Sequence, residues 1–384
     1  MDFGLTEEQK MIQALARDFA NNEIVPVARE NDRQEKFPWE VLRKMAELGL
    51  LAGPIPTEYG GMGLDYVSHG LITEEIGRAC SSVRTTLSVH ISLCQLTLLK
   101  WATEEQKRRY LPRLARGEII GCFALTEPNV GSDAASIETT ATRRGDGWVL
   151  NGAKTLISNG GVAGLAIIFA QTDKSLGHHG IGAFLVERDA PGFTTKDIHG
   201  KLGLRSSNTA ELFFEDCYVP QENVLGQIGD GFKMALSALD SGRFSVAAGC
   251  VGIAQGCIDA CIRYAQARHQ FGRPIGSFQL VQELIAEMIV NTEAARLLVY
   301  RAAALKDKGL PNTRETSIAK YFASEVALKA ANDAIQVHGG YGYLDEYPVE
   351  RYMRDARVAS LYEGTSQIQK LIIARDALGV SAFV

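Results

Sequence analysis

The sequence predicts an α+β multidomain protein in which a helical region, a strand-rich region and a second helical region follow one another. Three observations predict this order. Apolar residues recur at helical intervals before residue 120, short segments of β-formers with turn signals fill 121–228, and long helical segments begin near residue 229. With 384 residues the chain is long enough for two or three domains, each with its own core. We therefore expect domains at 1–120, 121–228 and 229–384.

The first region has the start and stop signals of helices. Thr6 and Gln9 have capping-box spacing, and apolar residues follow them on one face. Pro38 suits the first position of another helix, and Gly49 suits its end. The loop GPIPTEYGGMG (53–63) interrupts the pattern, after which helical periodicity resumes. These signals predict an N-terminal all-α domain.

The middle region changes to strand-like periodicity. The segments TTATRR and WVLNG flank Asp146-Gly147, which is a dipeptide typical of hairpin turns. The segments GIGAFLVE and AELFFEDCYV continue the pattern to about residue 226. This composition predicts a β domain.

The last region is strongly helical again. Long helical segments are predicted at 229–268, 278–307 and 312–337, and the Gly-rich break HGGYGY (338–343) precedes a short helix and a closing one. In LYEGTSQIQ (361–369), Ser366 and Gln369 have capping-box spacing, which predicts the start of the closing helix just after Glu363. The arrangement indicates an antiparallel helical bundle.

Composition excludes several classes of partner. The net charge of −5, with 46% hydrophobic and 22% charged residues, is that of an ordinary globular protein and argues against nucleic acid or an anionic membrane as the main partner. The start MDFGLTEEQK lacks the features of a signal peptide, and no apolar run predicts a transmembrane segment. Seven cysteines without a Cys-x-x-Cys pair predict free thiols in a reducing compartment, a bacterial cytoplasm or an organelle matrix.

Several common site motifs are absent from the sequence. There is no Gly-x-Gly-x-x-Gly, Walker loop or Gly-x-Ser-x-Gly, and His178-His179 has no spaced partners that would predict a metal site. What remains are stretches that offer hydroxyl and backbone N–H groups to a phosphate-bearing ligand or a flavin ring. They are LTEPNVGSD (125–133), LISNGG (156–161), QVHGGYG (336–342) and EGTS (363–366).

The length and order of these motifs resemble the acyl-CoA dehydrogenase family, essentially end to end. LTEPNVGSD resembles its flavin-contacting loop, and QVHGGYGYLDEYPVERYMRD (336–355) its second signature; RHQFGRPIGSFQ (268–279) and LYEGTSQIQ also fit. The resemblance implies a helical N-terminal domain, a middle β-barrel domain, a C-terminal four-helix bundle and FAD. It also implies an acyl-CoA substrate, an electron-transferring flavoprotein as electron acceptor, and a homotetramer built as a dimer of dimers.

The resemblance assigns roles to individual residues. The implied cofactor-binding positions are Phe123, Leu125, Thr126, Ser132, Ile157, Ser158, Arg268, Gln279, Gln336, Val337, Gly339, Gly340, Thr365, Ser366 and Gln367. Of these, Arg268 and Gln279 resemble a pair that reaches FAD across a subunit interface. The implied substrate-contacting positions are Ser132, Asp240, Arg243, Gly364 and Arg84.

Glu363 falls on the family's catalytic base. The implied reaction introduces a Cα–Cβ double bond into an acyl thioester, with Glu363 abstracting the α-proton and N5 of FAD taking the β-hydride. One carboxylate in an apolar pocket suffices as base, because desolvation raises its proton affinity. A subset of the family draws its base from the residue before the arginine at 243, but here that residue is Gly242, which cannot titrate.

Two positions leave alternatives open. Leu156 stands where the family commonly has an aromatic residue against the flavin, so the electron acceptor is open. Arg84 resembles the arginine that binds the distal carboxylate in glutaryl-CoA dehydrogenases, but the accompanying glutamate aligns with Gly77, and a structural ion pair is an equal alternative. A dicarboxylic acyl-CoA, a carrier-protein thioester, a flavin oxidase or monooxygenase of this fold, and a non-enzymatic scaffold remain alternatives. Residues 90–99 are expected to help form the acyl pocket.

Overall fold

The computed structural model describes residues 4–383 of the chain. Residues 1–3, which begin the segment from which we predicted the absence of a signal peptide, and residue 384 lie outside the described residues. Before residue 120 the described chain is helical: α1 (Glu7–Phe19), α2 (Val25–Arg33), α3 (Trp39–Glu47), α4 (Tyr66–Ala79), α5 (Ser81–Ser88), α6 (Leu96–Trp101) and α7 (Glu104–Ala115). The predicted capping box at Thr6 and Gln9 is confirmed, since each side chain accepts a hydrogen bond from the other residue's backbone N–H.

Helices α4 to α6 form a buried layer in the middle of the molecule. A π-helical turn, Val89–Gln95, joins α5 to α6, so the chain runs on without a break from Ser81 to Trp101. This layer contacts the first strand on one side and the long helix after residue 230 on the other. Its side chains are almost all buried although many are polar, which is unusual for a helix and marks the layer as the wall of a site.

The middle region forms one eight-stranded sheet. Its strands are β1 (Gly121–Ala124), β2 (Thr140–Arg144), β3 (Gly147–Ser158), β4 (Leu165–Gln171), β5 (Ile181–Glu187), β6 (Phe193–Asp197), β7 (Thr209–Pro220) and β8 (Val224–Leu225). The order is β6-β7-β3-β2-β4-β5-β8, with β1 pairing in parallel with β4. Side chains from all eight strands meet in a single interior cluster, which is the core of the barrel. The turn between β2 and β3 occupies Gly145 and Asp146, one residue earlier than predicted.

Strand β4 explains how the barrel is held against the helices. All of its residues are buried, because one face points into the barrel interior and the other packs on the core of the N-terminal helices. Ile168 belongs to the barrel interior, whereas Ile167 and Phe169 belong to the helical core. The alternation of strand side chains therefore joins the two regions.

The C-terminal region is a helical bundle. Its helices are α8 (Gly231–Ala267), α9 (Gln279–Asp307), α10 (Thr313–His338), α11 (Val349–Arg357) and α12 (Ser366–Leu378), and a two-residue strand pair, β9 (His269–Gln270) with β10 (Arg273–Pro274), links α8 to α9. Among the described residues, α8 alone is long and apolar enough to cross a membrane, but 83% of its most apolar window is buried inside the protein. Its apolar character is that of the central helix of a bundle. Helices, then a barrel, then a bundle confirm the predicted fold class.

Candidate active site

A left-handed turn carries Glu363. Glu363 has a φ of +57° and Gly364 a φ of +88°, and the turn lies directly before α12. The prediction that Ser366 caps this helix was wrong by one residue: the hydroxyl of Thr365 accepts from the N–H of Ile368 at 3.3 Å. Ser366 instead donates to Glu325 at 2.7 Å. The carboxylate of Glu363 therefore projects from a turn rather than from a helix.

The carboxylate of Glu363 lacks ordinary partners. Its Oε2 atom is inaccessible to solvent and has no hydrogen-bond partner among residues 4–383. Desolvation raises the pKa of Glu363 to about 7, and the positive charges of Arg243, Lys320 and Arg84 oppose that rise. A carboxylate with this pKa exchanges protons at neutral pH, as a general base must.

Three side chains hold the backbone of this turn. Nε of Arg243 donates to the carbonyl oxygen of Glu363 at 3.0 Å, and Nε2 of Gln369 donates to the same oxygen at 3.1 Å. Gln369 also donates to the carbonyl oxygen of Gly364 at 2.9 Å, and Nζ of Lys320 donates to that oxygen at 2.8 Å. Two consecutive left-handed residues are thus held by four hydrogen bonds from buried side chains.

The predicted substrate residues Asp240 and Arg243 form part of this support. Nη1 of Arg243 contacts Oδ1 of Asp240 at 3.0 Å, one turn apart on α8. The other carboxylate oxygen of Asp240 accepts from the hydroxyl of Thr313 at 2.6 Å. The pair therefore connects the start of α10 to the turn that carries Glu363.

A pocket brings Glu363 together with residues from every region of the chain. Of the predicted site residues, it is lined by Arg84, Phe123, Leu125, Thr126, Ile157, Ser158 and Glu363. The sequence analysis missed other lining residues, which are Thr85, Ser88, Val89, Leu239, Val246 and Tyr362. Helical periodicity shows that the missed residues of α5 and α8 lie on a buried face, but it does not show that this face lines a pocket. Leu93 of the expected 90–99 segment also lines the pocket, whereas His90 accepts the N–H of Gly121 at 3.0 Å.

Arg84 lies against the same pocket with unused donors. It is 1% exposed, and its Nη2 donates to the hydroxyl of Tyr362 at 2.7 Å. Its Nε and Nη1 atoms are buried and have no partner within the described part of the chain. Unpaired buried guanidinium nitrogens are costly, so an acceptor on a ligand would satisfy them.

A buried ion pair fixes the LTEPNVGSD loop. Nζ of Lys154 lies 2.7 Å from Oε1 of Glu127, and both side chains are at most 1% exposed. Lys154 also donates to the carbonyl oxygen of Leu125, and Glu127 accepts the backbone N–H of Thr139 at 3.0 Å. Burial lowers the pKa of Lys154 to about 8. The sequence analysis missed this pair, because a lysine within a strand has the signature of a solvent-facing residue.

Leu156 occupies an unusual position on the pocket wall. It has a φ of +58°, lies at a register shift between β3 and β7, and is 63% exposed. A large apolar side chain in an exposed, left-handed position indicates a contact with a bound ligand or another protein. The pocket residues Ile157 and Ser158 follow it directly.

A second cavity of about 580 Å³ gathers other predicted cofactor residues. It is lined by Arg268, Gln336, Val337, Gly339 and Gly340, with Tyr264, His338 and Tyr341 among its further lining residues. The rings of Tyr264 and His338 stack at 4.3 Å, and the guanidinium of Arg268 lies 5.5 Å from the ring of Tyr341. The predicted cofactor-binding positions that line neither cavity are Ser132, Gln279, Thr365, Ser366 and Gln367, and the predicted substrate positions Asp240, Arg243 and Gly364 line neither as well.

The residues present fit FAD. Apolar walls from Phe123, Leu125 and Ile157, with the hydroxyls of Thr126 and Ser158, suit a flat ring that has one polar edge. In the second cavity, stacked aromatic rings and a guanidinium suit a phosphate-bearing adenosine. A Cβ at Gly339 or Gly340 would meet no atom within 4 Å, so the backbone there is open to a ligand.

Three family models match this chain in succession: the N-terminal domain of acyl-CoA dehydrogenase over 6–118, its middle domain over 122–217 and its C-terminal domain over 229–378. The chain is 46% identical to a short-chain specific acyl-CoA dehydrogenase of Clostridium acetobutylicum, over 97% of this chain and 99% of the relative.

Solved structures agree with the family models. A chain in the structure of the electron transferring flavoprotein of Acidaminococcus fermentans matches with a TM-score of 0.97 at 46% identity, covering 98% of this chain and 100% of that one. Glutaryl-CoA dehydrogenase of Mycobacterium smegmatis in complex with FADH2 matches with a TM-score of 0.94 at 35% identity, covering 99% of this chain and 97% of that one. The chain belongs to the acyl-CoA dehydrogenase family.

Proposed function

We propose that this FAD-dependent oxidoreductase introduces a Cα–Cβ double bond into an acyl-CoA thioester with Glu363 as the general base. The observation that carries the proposal is the carboxylate of Glu363, whose Oε2 atom is buried without a partner and whose pKa desolvation raises to about 7, in a pocket with the predicted flavin-contacting residues. The family membership supports dehydrogenation of acyl-CoA as the overall reaction. The base assignment rests on the geometry of the turn.

The protein's part in the reaction is binding, orientation and proton transfer. The apolar side chains of Leu239, Val246 and Leu93 offer a surface to the acyl chain and exclude water from it. Glu363 takes the α-proton onto its carboxylate, and Arg243 and its neighbours keep that carboxylate in place through the backbone of the turn. When bound, FAD accepts the β-hydrogen together with its electron pair.

The test is Glu363→Gln, which keeps the shape of the side chain and removes the base. We expect the variant to bind FAD, to show the yellow flavin spectrum and to lose at least about a hundredfold in the rate of flavin reduction by butyryl-CoA, since general bases contribute about 10²–10⁴. Asp376→Asn, which alters an exposed carboxylate on α12, is the matched control. Substantial turnover by the Glu363→Gln enzyme would overturn the proposal.

A dicarboxylic acyl-CoA is a second candidate substrate, favoured by the two unpartnered nitrogens of Arg84. Nε and Nη1 lie on different edges of the guanidinium, so a terminal carboxylate would accept a charge-assisted hydrogen bond from Nη1 alone. Arg84→Met should lower kcat/KM for glutaryl-CoA at least about tenfold while changing butyryl-CoA less, since a charged hydrogen bond contributes about 1.5–3 kcal/mol. Equal losses on both substrates would assign Arg84 a structural role instead.

An electron-transferring flavoprotein is the proposed electron acceptor, in line with the flavoprotein named for one structural neighbour. Two alternatives are tested with the same holoenzyme. Anaerobic reduction by acyl-CoA followed by slow reoxidation in air would exclude an oxidase or monooxygenase, and fast reoxidation would support one. Comparing a CoA thioester with an acyl-carrier-protein thioester of the same acyl group tests the carrier.

We also propose a homotetramer, a dimer of dimers, in which Arg268 and Gln279 reach the FAD of a neighbouring subunit. Exposed apolar side chains support an interface here: Phe271 is 94% exposed in the turn after β9, and Leu280 at the start of α9 is 75% exposed. Light scattering after gel filtration measures the mass, and Phe271→Asp should reduce it. A wild-type monomer that binds FAD tightly would contradict the assembly.

The division into domains at 1–120, 121–228 and 229–384 is likewise a proposal, supported by the ranges of the three family models. A cytoplasmic or matrix location is supported by the seven cysteines, all of which are free and buried in the described residues. Limited proteolysis would test the boundaries, because cleavage should concentrate near residues 120 and 228.

A further inference from the structure

Lys320 is a buried cation that the reaction described above does not use. It lies in the middle of α10 and is 0% exposed. Its ammonium donates to the carbonyl oxygen of Gly364 at 2.8 Å. Within residues 4–383 no carboxylate oxygen lies within 4.0 Å of it, although buried ammonium groups are normally paired with one.

The charges that face Lys320 come from several elements. Cys250 on α8 and the carboxylate of Glu363 favour its positive charge, Glu325 on its own helix does so more weakly, and Arg243 on α8 opposes it. Burial lowers the pKa of Lys320 to about 8, so the ammonium is largely protonated at neutral pH. Of the two carboxylates that favour its charge, that of Glu363 acts more strongly than that of Glu325.

Glu363 meets positive charge from three directions. Arg243 approaches from α8, Lys320 from α10 and Arg84 from α5, and each favours the ionised carboxylate. Arg243 is already paired with the carboxylate of Asp240 at 3.0 Å. Arg84 and Lys320 have only neutral partners, the hydroxyl of Tyr362 at 2.7 Å and the carbonyl oxygen of Gly364 at 2.8 Å, so their charges are available to the carboxylate.

We propose that Lys320 is a positioning residue for the catalytic turn, whose ammonium binds the carbonyl oxygen of Gly364 and keeps the carboxylate of Glu363 ionised for proton abstraction. The inference rests on the proposed role of Glu363 as base. The electrostatic effect of Lys320 can be tested separately from its hydrogen bond, because Gln369 also donates to the carbonyl oxygen of Gly364, at 2.9 Å. The turn therefore keeps a hydrogen-bond donor when the lysine is replaced.

The experiment uses the holoenzyme with Lys320 replaced by Met, which fills the same volume without charge. The rate of anaerobic flavin reduction by butyryl-CoA is measured from pH 6 to pH 9. Without the cation the ionised base is less stable, so the acid limb of the profile should shift to higher pH. A shift of about one pH unit lowers the rate about tenfold on the acid side and leaves the rate at high pH within about threefold.

A second readout separates this role from a structural one. A buried ammonium that lacks a carboxylate partner does not stabilise the fold, and apolar replacement of such charges is often neutral or stabilising. Lys320→Met should therefore keep its flavin and its melting temperature. Lys329→Met, on the exposed face of the same helix, is the matched control and should keep the wild-type pH profile.

Lys320→Gln is the second variant, since its amide still donates to a carbonyl oxygen but carries no charge. A shifted acid limb in either neutral variant supports the proposal, and an unshifted limb overturns it. If neither variant takes up flavin, Lys320 serves the fold and the proposal is overturned. Retained turnover by Glu363→Gln would refute the base assignment itself, whereas an inactive Glu363→Gln beside an unshifted Lys320→Met would refute the present inference alone.

Discussion

Gly242 on α8 and the carboxylate of Glu363 are in direct contact, and the contact exists because residue 242 has no side chain. A Cβ built on Gly242 would lie 2.6 Å from Cδ of Glu363. No real Cβ approaches another carbon so closely, so any other residue at 242 would displace the carboxylate. The sequence shows only that Gly242 cannot titrate; the structure shows that it makes room for Glu363.

Gly242→Ala should therefore displace Glu363 without emptying the flavin site. We expect the rate of flavin reduction by butyryl-CoA to fall at least about a hundredfold, since small displacements of reacting groups have effects of that size. The flavin spectrum should be unchanged. Gly53→Ala is the control, because a Cβ there would meet only side chains at ordinary contact distances of 3.5 and 3.7 Å. A Gly242→Ala enzyme of full activity would mean that Glu363 lies elsewhere during turnover.

The activity should depend on pH through Glu363. Desolvation raises its pKa to about 7, and only the ionised form can accept the α-proton. We expect kcat/KM for butyryl-CoA to fall about tenfold per pH unit below that pKa and to level off above it. A rate that is flat between pH 6 and pH 8 would contradict the assignment.

Glu363 should also make the stability of the protein depend on pH, and stability should fall with rising pH whereas activity rises. Its pKa is raised from the ordinary value of 4.5 to about 7 in the folded protein, so the folded state binds the proton more tightly than the unfolded state. Its contribution to stability is therefore fully present below pH 4.5 and is lost as the pH rises through 7. Glu363→Gln should melt at a higher temperature than the wild type at pH 8, with the difference shrinking toward pH 5. Calorimetry of both proteins over this range measures it, and a constant difference would contradict it.

Gly249→Ala should displace the side chain of Arg84, because Gly249 on α8 packs against it. A Cβ at Gly249 would lie 2.5 Å from Cδ and Nε of Arg84, so the guanidinium must move. If Arg84 binds a distal carboxylate, kcat/KM for glutaryl-CoA should fall about tenfold relative to butyryl-CoA, as in Arg84→Met. Gly53→Ala, where a Cβ would meet only side-chain atoms at 3.5 and 3.7 Å, is again the control. An unchanged preference would remove Arg84 from substrate selection.

Breaking the buried pair of Lys154 and Glu127 should destabilise the protein and loosen FAD. Lys154→Met leaves an uncompensated carboxylate at a site that is 1% exposed, which costs about 3–5 kcal/mol in the free energy of unfolding. Because Lys154 also holds the carbonyl oxygen of Leu125, we expect FAD to dissociate more readily. Denaturant unfolding and flavin fluorescence measure the two effects. Lys10→Met, which breaks an exposed ion pair with Glu7, should change neither.

Local patterns were enough to predict the order of the elements. The three long segments predicted at 229–268, 278–307 and 312–337 correspond to α8, α9 and α10 within two residues at each end. Such helices have long apolar stripes and distinct breaks, so neighbouring residues suffice to define them. The cap of α12 was misplaced by one residue because Thr365 and Ser366 are both good caps, and the contact of Ser366 with Glu325 on α10 decides between them.

The sequence by itself predicted the family motifs, Glu363 rather than residue 242 as the base, and the order of a helical, a strand-rich and a second helical region, since each prediction depends on residue types at short spacing. Only the tertiary structure decided what surrounds that acid. Arg84, Arg243 and Lys320 lie far apart in the chain, and the packing of α5, α8 and α10 brings their charges to one carboxylate. The proton affinity of a carboxyl group depends on solvent exclusion and on nearby charges, and both arise from packing rather than from neighbouring letters.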